Sequence, residues 1–257
     1  MNTLSLLTPQ WRVPNGVIAR VSDRRGGVSS PPFDSFNLAL HVDDKPASVL
    51  ENRRLLAARL PSGMVVQWLE QVHGIAVVEA CGDGLTRCGD AVYVDTPGFA
   101  GAVLTADCLP VLFASRTGRR VAAAHAGWRG LAAGVLENTL ARFPESPAQI
   151  SVWLGPAIGP CHFEVGAEVR ETFLTSTPAT AASRRLLEQA FRPSASPGRF
   201  FADLYALARI RLAACGVTQV SGGSECTFCN TEQFYSYRRD ARTGRFVSLI
   251  GLAPDQA

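Results

Sequence analysis

GAVLTADCLPVLFA (101–114), followed after a polar turn by VAAAHAGWRG (121–130), decides the fold class. Its apolar runs are short and are interrupted by Asp107, Pro110 and Gly127. They are too brief for helices and read as buried strands over 101–105, 109–114 and 120–125. Similar runs over 64–70, 75–80 and 90–94 extend the pattern upstream. Immediately after His125-Ala126-Gly127-Trp128-Arg129 the pattern changes, and 130–143 reads as a helix.

Further out, a helix is expected over 43–60, with Asp43 and Asp44 as N-cap candidates, Pro46 in the first turn and Pro61 as the stop. The segment 12–22 is β-rich and ends in a polar turn at 23–27, before a Pro/Ser/Phe-rich loop over 29–36. A buried strand covers 150–154 and ends at Gly155-Pro156. Helices are expected near 165–175, 181–191 and 203–215, with Ser194 to Pro197 a polar break between the last two. Strands over 217–220 and 246–252 close the chain. With no internal repeat or linker, residues 1–257 read as one mixed α/β domain, a central mixed sheet flanked by helices.

Composition narrows the function classes. The chain is 47% hydrophobic and 18% charged, the balance of an ordinary globular protein. Its formal net charge is +3, too small to argue for nucleic acid or a membrane surface, and the arginines are dispersed pairs rather than a basic tract. The first residues lack the basic and apolar regions of a secretory signal, and no run is long enough to span a membrane. Seven scattered cysteines without an export signal read as reduced thiols in the cytoplasm.

The chemistry-bearing residues sit in the breaks. There are four histidines, His41, His73, His125 and His162, each at an expected element end beside Gly, Pro or Asp, where loops carry function. Cys108 lies in Asp107-Cys108-Leu109-Pro110, between two apolar runs. If strands 101–105 and 120–125 are neighbours, Cys108 and His125 meet at adjoining strand ends, and His73 joins them from the same rim. Two imidazoles and a thiolate leave a fourth position for water or substrate, the pattern of catalytic zinc. Soft sulfur with imidazole favours zinc or copper over magnesium or calcium, although the spacing by itself is not diagnostic. Cys226-Thr227-Phe228-Cys229 is a CxxC with no second CxxC nearby. It reads as a loop turn rather than half of a structural zinc site, and Cys81 and Cys88 read as bystanders.

With these residues laid out, the sequence resembles the YfiH / laccase-domain family, once described as multicopper polyphenol oxidases. The resemblance rests on Arg25-Gly26-Gly27-Val28-Ser29, Asn37-Leu38 with His41-Val42, Gln71-Val72-His73-Gly74 and Ala106-Asp107-Cys108-Leu109-Pro110. It continues through His125 to Gly130, Gly155-Pro156, Ile158 to Val165, Cys226-Thr227 and Phe234 to Asp240. Cys229 departs from the family pattern. The resemblance implies a mixed α/β fold and zinc held by His73, Cys108 and His125. It also implies phosphorolysis of purine nucleosides (adenosine, inosine, guanosine and 5′-methylthioadenosine), with adenosine deamination as a second reaction.

On that reading Cys108 and His125 belong to the catalytic set, and His41 and His162 are candidate proton carriers. Arg25 and Arg129 are expected to hold phosphate, since guanidinium forks match its oxygens. Gly26-Gly27 could bring backbone N–H groups close, Asn37 could orient the substrate, and Asp107 could orient a ligand. Two other enzyme classes compete. Cys108 with His125 could form a metal-free thiol hydrolase. A copper-dependent polyphenol oxidase would need about ten histidines for its combined centres, which four cannot supply. The zinc deaminase motif H-x-E with P-C-x-x-C is absent, so any deamination would use a differently built site.

Overall fold

The structure, a computed structural model, describes residues 4–177 and 180–254. Two sheets pack face to face and carry helices on their outer surfaces. The first has the order Leu6–Leu7, Val17–Ser22, Phe246–Leu252, Phe99–Thr105, Val65–Gln67. Only its last pair is parallel. The second runs Gln219–Gly222, Ile150–Leu154, Leu109–Ser115, Val121–Ala126, Ala91–Val94, Val77–Glu79. Its centre is antiparallel and its two edge pairs are parallel.

Side-chain parity explains the layers. Every residue of Leu109–Ser115 is buried, and successive side chains point to opposite faces. Leu109, Val111 and Phe113 pack into the core shared with the helices. Leu112 and Ala114 face the other sheet, where they meet Val103 and Ile250. On the far side of that sheet Val247 and Leu249 lie under Leu56 of the helix Pro46–Ala57. Strands covered on both faces read as unbroken apolar runs, and fully burying one such side chain is worth about 1.5–3 kcal/mol.

Three expectations change. Strands 101–105 and 120–125 are not paired, because they belong to different sheets. The chain crosses between the sheets at Ala106–Cys108, and Asp107 takes a positive φ of 93° to make the turn. It is Leu109–Ser115 that pairs with Val121–Ala126, placing His125 opposite Pro110 and Ala126 opposite Leu109. The helix expected over 130–143 is two helices, Trp128–Ala133 and Val135–Leu140. They break at Gly134, whose φ of 105° suits only a residue without a side chain. The expected polar break at 194–197 is the turn of a hairpin. Phe191–Pro193 and Arg199–Ala202 pair there, with Glu164–Gly166 beside them, in a third sheet. Among the described residues no helix is long and apolar enough to cross a membrane.

Candidate active site and metal centre

The crossing between sheets delivers Cys108 to the rim where His125 ends its strand. His73 arrives from a turn in which its own φ is 60°. The potential donor atoms of His73, Cys108 and His125 all lie within 4.8 Å of one another, and the two imidazoles meet edge to face. One carboxylate organises both histidines. Asp90 accepts N–H bonds from Val72, His73 and Gly74 at 3.2, 2.9 and 2.6 Å. It also lies 2.8 Å from Nδ1 of buried His125, which leaves Nε2 of that ring for a metal. A carboxylate behind a metal-binding histidine fixes ring orientation and raises its basicity.

Glycine makes the room. A Cβ on Gly127 would stand 2.6 Å from His73 Nδ1 and 3.1 Å from Cys108 Sγ, so the cluster packs directly against that backbone. The soft sulfur, the two imidazoles and the carboxylate behind them fit one thiophilic divalent ion.

Electrostatics point the same way. Burial alone would lower the pKa of His125, but the Cys108 sulfur and the Asp90 carboxylate overcome it and raise the value to about 9. Burial, and then the charge of His125, lower the pKa of His73. Burial opposes ionisation of Asp90, yet hydrogen bonds from His125 and Gly74 keep its pKa below the usual value. The Asp90 carboxylate thus favours positive charge beside His125, as a bound cation would supply.

Beside the triad opens a cavity of about 480 Å³. Three guanidinium groups line it: Arg129, Arg238 and Arg245. Among the described residues none of the three has a carboxylate ion-pair partner within 4.0 Å; Arg129 lies over the ring of Trp128 at 4.6 Å. Arg245 donates to the carbonyls of Thr243 and Gly244, and burial lowers its pKa. Arg238 donates through Nη1 to the Glu164 carbonyl at 2.9 Å. His41 stands at the solvent-facing mouth, where packing, followed by Arg245 and Arg53, lowers its pKa. Trp128, Phe163 and Tyr237 supply aromatic walls. A cationic, part-aromatic cavity against a His–Cys–His triad is suited to an anion and a flat heterocycle.

Of the residues expected at the site, His73, Cys108, His125, His41 and Arg129 converge on this cavity. Arg25 does not line it, since its guanidinium is ion-paired with buried Asp23 at 2.5 Å. The adjoining Gly27 packs tightly against Ser35 and Phe36. Asn37 is fully buried, and its amide is committed to Ala39, Asp44 and Arg245, so it shapes the loop and is not free to orient a substrate. His162 faces Cys161 and Cys229 instead of the triad. Asp107 binds Thr227 and the Arg238 backbone, both at 2.6 Å, and so braces loops rather than a ligand. Sequence reasoning missed Asp90, Arg238 and Arg245. The one local hint was an acidic residue, Asp90, opening the buried strand Ala91–Val94.

Residues 18–253 match the model of a family described as multi-copper polyphenol oxidoreductase laccase. The chain is 52% identical over 250 residues to the purine nucleoside phosphorylase YfiH of Escherichia coli, covering 96% of this chain and 98% of that one. The chain belongs to the YfiH family. Within the YfiH family it is also 57% identical over 249 residues to a purine nucleoside phosphorylase of Pseudomonas aeruginosa, covering 96% and 98% of the two chains. A solved structure of a Neisseria meningitidis protein superposes with a TM-score of 0.90 at 45% identity, covering 96% of this chain and 99% of that one. The YfiH structure of Bacillus licheniformis gives 0.84 at 31% identity, with 93% of each chain covered.

Proposed function

We propose that this YfiH-family chain is a zinc-dependent purine nucleoside phosphorylase. It would convert adenosine, inosine, guanosine or 5′-methylthioadenosine, with phosphate, to the free base and the pentose 1-phosphate. Adenosine deamination would be a second reaction of the same cavity. The observation that carries the reading is the convergence of three arginines, without carboxylate partners among the described residues, on the cavity that holds the His73–Cys108–His125 triad. The names of the bacterial relatives support the same activity.

In phosphorolysis a phosphate oxygen forms a bond to C1′ as the bond from C1′ to the purine nitrogen breaks. Arg129, Arg238 and Arg245 hold the phosphate dianion by charge-assisted hydrogen bonds. Trp128, Phe163 and Tyr237 receive the flat base. His41, kept neutral by its lowered pKa, carries a proton between the mouth and the departing purine. His73, Cys108 and His125 would hold the zinc, which would supply Lewis-acid charge beside the reacting groups. A multicopper oxidase is a poor reading, because four histidines fall short of the about ten its centres require. The seven free thiols suit a reducing cytoplasm.

The test is turnover of a nucleoside panel with and without phosphate, with metal analysis of the same preparation. Phosphate-dependent base release that disappears in His73→Ala and Cys108→Ala is expected. Base release unaffected by those changes defeats the reading. Turnover without metal that is blocked by thiol alkylation would instead mark Cys108 and His125 as a thiol hydrolase pair.

A further inference from the structure

Away from the cavity, two loops distant in sequence bring four soft donors together. Cys161 and His162 lie in the turn that follows Gly159-Pro160, and Cys226 and Cys229 belong to the CxxC loop. Their donor atoms all lie within 4.8 Å of one another. Cys161 Sγ is 3.7 Å from Cys226 Sγ and 3.6 Å from Cys229 Sγ. His162 Nδ1 lies 3.2 Å from Cys161 Sγ and 3.3 Å from Cys229 Sγ. A tetrahedral zinc ion, with bonds of about 2.3 Å to sulfur and 2.0–2.1 Å to nitrogen, needs sulfurs about 3.8 Å apart and nitrogen about 3.6 Å from sulfur. These four separations are within a few tenths of an ångström of those edges. The sulfur separations are far beyond the disulfide length of about 2.05 Å. A single disulfide would also leave a thiol and an imidazole without a role.

The surroundings suit a thiolate cluster. The Gly159 N–H donates to Cys226 Sγ at 3.2 Å. A Cβ on Gly159 would stand 3.2–3.4 Å from Cys226 and Cys161 atoms, so the absence of a side chain lets the turn close over the sulfurs. The Phe228 ring stacks on His162 with centroids 4.0 Å apart and sets the imidazole's direction. The lone CxxC, read from sequence as a loop turn, acquires its other half from residues more than sixty positions upstream.

We propose that Cys161, His162, Cys226 and Cys229 form a second, structural zinc site that clamps the 159–162 turn to the 226–229 loop. Four protein donors close the coordination, unlike the three-donor centre at the cavity. The clamp is also a brace. Thr227, inside the CxxC, donates to Asp107, the residue before Cys108, and Arg238 donates to the same carboxylate and to the His162 and Glu164 carbonyls. The second ion therefore holds the segment that positions one catalytic-centre ligand and one cavity arginine.

The test is zinc content of the reduced full-length protein by native mass spectrometry. Wild type is expected to carry one more zinc than the double variant Cys161→Ser/Cys229→Ser. A complementary variant, His73→Ala/Cys108→Ala, leaves the second cluster intact. X-ray absorption of its bound zinc should report three sulfurs and one nitrogen. Equal zinc in wild type and the Cys161→Ser/Cys229→Ser variant overturns the proposal. So does a His73→Ala/Cys108→Ala protein without zinc in a sulfur-rich shell, a measurement that holds even if the serine variant fails to fold.

Discussion

The carboxylate of Asp90 stands 2.8 Å from Nδ1 of His125 and at the same time caps the turn that presents His73. One side chain therefore sets the orientation of two potential metal donors that come from different elements. Removing its charge should disturb the metal centre more than the fold. Asp90→Asn is expected to weaken zinc binding at the cavity by about 10–100-fold, read by competition with a chromophoric chelator. An unchanged affinity would show that His125 needs no such partner.

Protonation of His125 competes with metal. With its pKa raised to about 9, zinc uptake near neutrality must displace a proton from this imidazole. Apparent affinity should rise about tenfold per pH unit up to that value, and calorimetry in buffers of different ionisation enthalpy should detect proton release. A pH-independent affinity between pH 7 and 9 would count against the assignment.

The stability of metal-free protein should show the opposite signs of the histidine shifts. His125 is raised above the unfolded value of about 6.5, so its contribution is complete below that pH and is lost as pH climbs toward about 9. His73 and His41 are lowered, and their contribution fades as pH falls below about 6.5. Urea melts of chelated protein should therefore show greatest stability near pH 6.5. A continuous rise from pH 6.5 to 9 would contradict the His125 environment.

Phosphate recognition should follow the cavity and not the sequence motif. Arg245→Met or Arg129→Met is expected to lower kcat/KM for phosphate by about 10–100-fold, the loss of one charged hydrogen-bonding group. Arg25→Ala, which breaks only the pair with Asp23, should leave the KM for phosphate near wild type. The reverse ranking would move the anion site out of the cavity.

Gly127→Ala tests how closely the centre packs. The backbone of Gly127 has φ −60° and ψ 156°, which alanine adopts without strain. The added methyl, however, meets His73 Nδ1 at 2.6 Å. Zinc affinity at the cavity should fall by more than about tenfold while circular dichroism stays native. Retained affinity would show that His73 can shift without cost.

Much of the fold was legible because each buried strand carries its own signature. The runs at 109–114, 120–125 and 246–252 are apolar without alternation, and the structure covers both faces of all three. Two of the three clustered donors stood out for a related reason. Cys108 and His125 interrupt or end such runs, and a polar group there needs a partner. The hairpin at 191–202 was not legible, because two short strands with one buried residue each carry no strong period.

By itself, then, the sequence determined which segments are core and which donors stand at their ends, since burial and backbone breaks are local properties of the chain. Only the tertiary structure decided which sheet each run joins. Apolar parity says that a face is covered but not by what, and the pairing of 101–105 with 120–125 failed for that reason. The same holds for Asp90 behind His125, for Arg238 and Arg245 beside Arg129, and for Cys161-His162 opposite Cys226 and Cys229. Each of these partnerships joins residues far apart in the chain, and it exists only once the packed layers bring their loops to a common rim.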